Sequence, residues 1–259
     1  MKKVLTIIGS PRKGETYKAV ERFSEELNKL DEVQVEYLML NKAGIKDCIG
    51  CHTCIKIGED KCYEHAAIKE ILDKAQGADG VILATPVYNQ HVTALMKKFM
   101  DYLTFLWHRP ALFGIKFMGV SSGGGMFGPV FKYLKMNVEC WGGTWVDGLG
   151  VPHYESLTPK YRDKLDRDIS CKAEKFIRAM EVKTLPRPTF GRLMWFNMWK
   201  MNAEAGKDGV VKDYEHWTET GWFKSDYYYP IKLGFFKRTA LKLTAALTRR
   251  IMRKVYNGY

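Results

Sequence analysis

Two hydrophobic rhythms take turns along the first two-thirds of the chain. Residues 4–8 are a short, largely β-branched run that stops at Gly9-Ser10-Pro11, as a buried strand does. Val20, Phe23, Leu27 and Leu30 then recur at helical spacing and predict an amphipathic helix over 17–30. The alternation continues with strands over 33–38, 80–84, 115–120 and 144–151. Helices are expected around Ile68, Ile71, Leu72 and Ala75, then over 94–107, 130–140 and 160–180. The stripe of the 94–107 helix is Met96, Phe99, Met100 and Leu103. Residues 41–62 carry neither rhythm and read as a cysteine-rich loop.

Five strands alternating with helices predict an α/β fold built on a doubly wound parallel sheet. The first strand-to-helix loop, Ser10-Pro11-Arg12-Lys13-Gly14-Glu15-Thr16, lacks the GxGxxG of dinucleotide-binding folds. Five strands suit the flavodoxin-like order 2-1-3-4-5. The pattern ends near 183, so we expect one domain over 1–183 and a C-terminal extension, helical or irregular, over 184–259. Leu185-Pro186-Arg187-Pro188 reads as the linker.

Composition narrows the class. No run approaches the ~18 apolar residues of a membrane span. The apolar stretch after Met1-Lys2-Lys3 is too short for a leader, and a cytoplasmic protein is expected. The formal charge is +12, yet residues 231–259 alone hold eight Lys/Arg and no Asp or Glu. No zinc-finger, helix-turn-helix or RNA-binding signature accompanies that charge, which argues against specific nucleic-acid binding.

Sheets of this kind bind ligands at the carboxyl ends of their strands, beside the switch point between strands 1 and 3. Loops 9–16, 85–90 and 121–127 lie there. The first offers the Ser10 and Thr16 hydroxyls, the Arg12 guanidinium and the N–H groups of a helix start. That set suits a phosphate, and equally a plain capped turn. Thr85-Pro86-Val87-Tyr88-Asn89 carries an aromatic ring that could pack beside a flat ligand or simply join the core. Ser121-Ser122-Gly123-Gly124-Gly125 lets backbone amides approach a ligand closely, or is a flexible loop.

The set I-I-G-S-P-R-K-G-E-T at 7–16, A-T-P-V-Y at 84–88 and F-M-D-Y-L-T-F-L-W-H-R-P at 99–110 resembles the NADPH-dependent FMN reductase family, over residues 1–180. The resemblance implies FMN, with Ser10, Arg12, Gly14, Glu15 and Thr16 at its phosphate. It places Pro86, Val87, Tyr88, Asn89, Ser122, Gly123 and Gly124 along its rings. It implies reduction by NADPH or NADH and reoxidation by a quinone, a free flavin or another small acceptor. The alternative is an electron carrier reduced by a partner such as ferredoxin. No catalytic acid or base is assigned. The family often has Asn where Glu15 stands and Arg where Tyr102 stands. His108 and Arg109 match the family's helix-end H-R-P, although the helix macrodipole explains a basic pair there equally well.

Cys48, Cys51, Cys54 and Cys62 form C-x2-C-x2-C-x7-C. This is similar to the motif of the iron–sulfur flavoproteins, a branch that binds a [4Fe–4S] cluster beside FMN. Bare thiols, a redox disulfide, or zinc with His52 or His65 are the other readings. Cys140 and Cys171 read as ordinary buried small residues.

In the extension, Leu233, Phe236, Ala240, Leu243, Leu247 and Ile251 share one helical face, with Lys242, Arg249 and Arg253 opposite. An anionic-membrane anchor, packing on its own domain, and an arm wrapped on a neighbouring subunit all fit. Trp195, Trp199, Trp217 and Trp222 would be the arm's anchors. The mixture in Asp213-Tyr214-Glu215-His216-Trp217 suits a protein contact better than a lipid-facing strip. A homo-oligomer, dimer or tetramer, is therefore expected, with peripheral membrane contact the lesser reading.

Overall fold

The structure, a computed structural model, describes residues 1–254 apart from the side chain of Lys242; the end of the basic stretch, 255–259, lies outside the described residues. In chain order the elements are β1 (Lys2–Ile8), α1 (Glu15–Leu30), β2 (Val33–Met39), α2 (Thr53–Lys56), α3 (His65–Gln76), β3 (Gly80–Pro86) and α4 (Ala94–Tyr102). There follow α5 (Phe105–His108), β4 (Lys116–Ser122), α6 (Phe127–Cys140), β5 (Thr144–Val151), α7 (Pro159–Glu181), α8 (Phe190–Ala205), α9 (Val211–Glu219) and α10 (Phe235–Met252). The chain gathers into two compact units. Residues 1–50 and 63–185 form the first, and residues 51–62 join those from Pro186 onward in the second.

The first unit is the expected flavodoxin-like α/β sheet. Its five strands are all parallel, in the order β2-β1-β3-β4-β5. Strands β1, β3 and β4 are buried along almost their whole length, because parallel strands need helices on both faces. On one face Val4, Ile82, Met118 and Leu149 meet Phe23 and Leu27 of α1 and Phe176 and Met180 of α7. The Phe23 and Phe176 rings lie 6.2 Å apart between those two helices. On the other face α4 buries Met96, Phe99 and Met100, and α6 buries Val130, Leu134 and Val138.

The outer strand β5 is irregular. Pairing slips after Phe117, which faces Trp145, so that Met118 faces Asp147. Asp147 accepts the N–H of Gly148 at 2.8 Å, and Lys172 donates to the Gly148 carbonyl at 2.6 Å.

Three expectations change in detail. Strands β3 and β4 run two residues further than their apolar cores, so Thr85 and Pro86 pair with Ser121 and Ser122. The helix expected over 94–107 breaks into α4 and α5. There the Thr104 hydroxyl donates to the Asp101 carbonyl at 2.7 Å, a local bond that competes with the helical ladder. The loop over 41–62 contains the single turn α2, entered through His52 with φ +59°.

The second unit has its own aromatic core. Phe196 of α8 lies 5.3 Å from Trp217 of α9, ring to ring, and Trp217 lies 5.3 Å from Trp222. The Trp222 indole donates to the Tyr228 carbonyl at 3.1 Å. Trp217 and Trp222 are therefore buried inside this unit and are not available as anchors on a neighbouring subunit, while Trp195 is exposed. The turn α2 packs on α9, and α10 packs on α8. Among the described residues no helix is long and apolar enough to cross a membrane.

Candidate functional site

The ends of β1, β3 and β4 are tied together by hydroxyl groups. Thr16, at the start of α1, shares a 2.7 Å hydrogen bond with Ser122 at the end of β4, both side chains buried. Ser121 donates to the Thr85 carbonyl at 2.8 Å, and Val87 N–H to the Ser122 carbonyl at 2.8 Å. Thr93 caps α4 by accepting from Met96 N–H, and its own hydroxyl donates to the Gly9 carbonyl at 2.5 Å. A Cβ on Gly9 would sit 2.8 Å from that of Met96, so only glycine lets α4 close against this loop.

This frame leaves the start of α1 open. No side chain caps the helix, whose first backbone bond runs from Lys18 N–H to the Gly14 carbonyl. Its leading N–H groups therefore point outward with the positive end of the helix dipole. Ser10 shapes the turn, its hydroxyl donating to the Arg12 carbonyl at 2.8 Å. Asn41 holds the loop from the β2 side, donating to the Pro11 carbonyl at 2.9 Å. Arg12 is exposed and folds back over Gly14, and among the described residues its guanidinium has no carboxylate partner. Glu15 pairs with Lys18 at 3.4 Å.

The second loop is a tight two-residue turn. Tyr88 and His91 exchange both backbone bonds at 3.0 Å, around Asn89 and Gln90 with φ +47° and +63°. Left-handed residues at both central positions match the twist of the flanking chain. The turn leaves Tyr88 half exposed. Tyr88 is therefore not a core tyrosine.

In the third loop the Gly123 N–H is taken by the Val151 carbonyl at 3.2 Å. Among the described residues the N–H groups of Gly124 and Gly125 have no backbone acceptor, and the space beside both residues is open. The structure thus gathers Ser10, Arg12, Gly14, Thr16 and Ser122 at one end of the sheet, with Pro86, Val87, Tyr88, Asn89, Gly123 and Gly124 on the loops that follow β3 and β4.

Beside the first loop an open cavity of about 460 Å³ is lined by Lys13, Tyr17, Tyr37, Lys42 and Lys74 among others. Lys13 lies 4.7 Å over the Tyr17 ring, and neither Lys13 nor Lys42 has a carboxylate partner among the described residues. Lys74 is paired with Glu70, which also lines the cavity, at 3.1 Å.

Tyr102 is buried at the end of α4, and its hydroxyl donates to that of Tyr63 at 2.6 Å. Tyr63 in turn bonds the Asp47 carbonyl. Burial and the Tyr63 hydroxyl both push the Tyr102 phenol well above the usual range, so it serves as a neutral donor. Lys98 adds bonds to the Ile45 carbonyl at 3.1 Å and to Asp47 at 2.9 Å. These tethers fix the approach to Cys48. Arg109 is buried beside Phe105, its guanidinium 5.7 Å from the ring centre.

Among the described residues no two cysteines are joined in a disulfide. Cys48 and Cys51 are exposed, and Cys54 and Cys62 are partly so. The Thr53 hydroxyl and N–H lower the Cys51 thiol pKa. Among the described residues no group of three or more His, Cys, Asp or Glu is arranged to hold a metal ion. Cys171 is exposed on α7 and Cys140 half-buried, so neither is the buried core residue expected. Thr93, Tyr63 and Lys98 had no place in the sequence-based site. The spacing Thr93-Ala94-Leu95-Met96 is a recognisable cap, whereas nothing local marks Tyr63 or Lys98.

The profile of the family described as NADPH-dependent FMN reductase matches residues 2–136, just over half the chain. An iron–sulfur flavoprotein of Archaeoglobus fulgidus is 36% identical over 144 residues, 54% of this chain and 64% of that protein, so the chain spans just under two-thirds of that relative's length. The NADPH-dependent FMN reductase of Escherichia coli is 28% identical over 177 residues, covering 63% of this chain and 84% of that protein. The crystal structure of an FMN-dependent NADH-azoreductase from Bacillus anthracis shares the fold with TM-score 0.53 at 17% identity, over 68% of this chain and 99% of that one. The match over residues 2–136, on a sheet with this strand order, makes the chain a member of the NADPH-dependent FMN reductase family.

Proposed function

We propose that this chain is a flavin-dependent oxidoreductase that holds FMN on the three strand-end loops, takes electrons from NADPH or NADH and passes them to a small acceptor such as a quinone or a free flavin. The observation that carries it is the uncapped start of α1, flanked by the Arg12 guanidinium, which has no carboxylate partner among the described residues, and braced by the Thr16–Ser122 bond. FMN fits this set: the helix start and Arg12 match a phosphate dianion, and the open amides of Gly124 and Gly125 match the polar edge of the ring system. When bound, FMN supplies a ring that accepts a hydride and gives its electrons to the acceptor.

The chain's own part is to bind, orient and polarise. The helix start and Arg12 neutralise the phosphate. The Gly124 and Gly125 amides stabilise negative charge where reduction places it. The half-exposed Tyr88 borders the ring site and limits water there. FMN binding is assigned to residues 1–183, leaving 184–259 as the extension.

A second reading has support in the cysteine spacing and in the name of the Archaeoglobus relative. In it the chain is an FMN and iron–sulfur electron carrier with Cys48, Cys51, Cys54 and Cys62 as ligands. This reading rests on the spacing, since among the described residues no group of three or more His, Cys, Asp or Glu is arranged to hold a metal ion.

One anaerobic experiment separates the readings. Purified protein is titrated with FMN, mixed with NADPH and with NADH, and analysed for iron. Stoichiometric FMN binding and fast bleaching by a nicotinamide support the enzyme. About four irons per chain, lost in Cys51→Ser, with bleaching only by reduced ferredoxin, support the carrier. Protein that binds no FMN sinks both.

A further inference from the structure

The helix α10 is unusual in what it leaves uncovered. Its packing side carries buried Leu241 and half-buried Ala245 and Met252, and this side meets α8. The opposite side carries Phe236, Leu243, Leu247 and Ile251 at intervals of seven, four and four residues, which align along one face. These four side chains and the adjoining Phe235 are between 53% and 86% exposed. A row of large apolar side chains this open is a recognition surface rather than scattered surface hydrophobicity.

Charge identifies the occupant. Residues 231–254 contain eight Lys/Arg and no acidic residue. Two of these basic groups are neutralised from within the unit, Arg238 by Asp226 at 2.7 Å and Arg249 by Glu204 at 2.6 Å. Lys232, Lys237, Arg250 and Lys254 have no carboxylate partner among the described residues. On the helical wheel Lys237, Arg250 and Lys254 flank or continue the apolar row. A second copy of α10 laid on this face would bring like charges together with no acid to balance them. The acidic and aromatic segment 213–217 does not compete for the face, because Asp213 and Trp217 are turned into the unit's own core.

We propose that α10 docks this protein on an anionic lipid surface. The helix lies in the headgroup plane, inserts Phe236, Leu243, Leu247 and Ile251 among the acyl chains, and sets Lys237, Arg250 and Lys254 against the lipid phosphates. An apolar groove of about 360 Å³ runs between α8 and α10, lined by Met194, Trp195, Met198, Thr244 and Thr248 among others, and gives an acyl chain room beside the helix. The proposal is independent of what the flavin site does.

The test is cosedimentation of the full chain with phosphatidylcholine vesicles made with and without phosphatidylglycerol, at low and high salt. Partitioning into the anionic vesicles should exceed that into the neutral ones by about tenfold or more, and should fall at high salt as the Debye length shortens. Leu243→Glu with Leu247→Glu should abolish binding. Lys237→Glu with Arg250→Glu should weaken it by roughly tenfold or more, with circular dichroism unchanged in both variants. Absence of partitioning, equal partitioning into both vesicles, or variants that bind as the parent does would overturn the proposal. So would a dimer seen by light scattering that the leucine pair converts to monomer, since a second copy would then be the occupant.

Discussion

Arg12 separates a phosphate site from an ordinary turn. Its guanidinium is exposed and has no carboxylate partner among the described residues, so its removal costs the fold little. Against a bound phosphate it would make charge-assisted bonds worth about 1.5–3 kcal/mol. Arg12→Ala should therefore weaken FMN binding by roughly ten- to a hundredfold, read by flavin fluorescence titration, with thermal stability unchanged. An unchanged affinity would show that the helix start alone holds the phosphate. This residue was legible in the sequence because the chemistry is local, a strand, a short loop and a helix start in succession. Tyr63 was not, because its role depends on Tyr102 lying 39 positions away and on a backbone carbonyl at Asp47. The exposure of Tyr88 was equally hidden. It follows from left-handed Asn89 and Gln90, and glutamine is not a residue from which that conformation is expected.

Among the elements, α1 and α7 decide whether the sheet stands. Phe176 of α7 is fully buried against Phe23 of α1. Phe176→Ala should cost about 3–5 kcal/mol of unfolding free energy, measured by denaturant titration of the first unit's transition. A loss under about 1 kcal/mol would mean that α7 repacks freely. β1, β3 and β4 could be read because burial on both faces of a parallel sheet leaves uninterrupted apolar runs, and β2 because Val33, Val35, Tyr37 and Met39 alternate with its other side chains. Their ends could not. Thr85, Pro86, Ser121 and Ser122 continue β3 and β4 as polar strand residues, held by pairing that local sequence does not announce. The break between α4 and α5 is a short run of tighter backbone bonds, Leu103 N–H to the Met100 carbonyl and Thr104 N–H to the Asp101 carbonyl, joined by the Thr104 hydroxyl. By its sequence the cysteine segment is a loop of the 1–183 domain, whereas residues 51–62 gather with those from Pro186 onward. That grouping depends on contacts between segments more than a hundred residues apart, to which periodicity is blind.

For the whole molecule, charge governs both stability and placement. Of the formal net charge of +12, residues 231–259 contribute +8, leaving +4 for everything before. Several carboxylates of the first unit are held below their ordinary range. Asp31 is lowered by its bond to Lys2 and by the Glu32 N–H, and Glu26 by Lys29 and Ser170. At Asp147 burial pushes the pKa up, but Lys175, the Gly148 N–H and Lys172 more than offset it. A carboxylate with a depressed folded pKa contributes stability above its unfolded value, about 4, and loses it as the pH falls through the folded value. The melting temperature should therefore keep their full contribution, without pH dependence from these groups, between about pH 5 and 7 and fall steadily below about pH 4. Asp147→Asn should flatten part of that acid limb, and an unaltered limb would show that its lysine contacts contribute nothing. The same Asp147 has a role unrelated to titration. Outer strands tempt other chains to add to the sheet. At the slip in β5, Asp147 and Lys172 already occupy the N–H and carbonyl of Gly148. An incoming strand would find that rung of its ladder already taken, which disfavours edge-to-edge pairing, and with it β-aggregation, at that point of the strand.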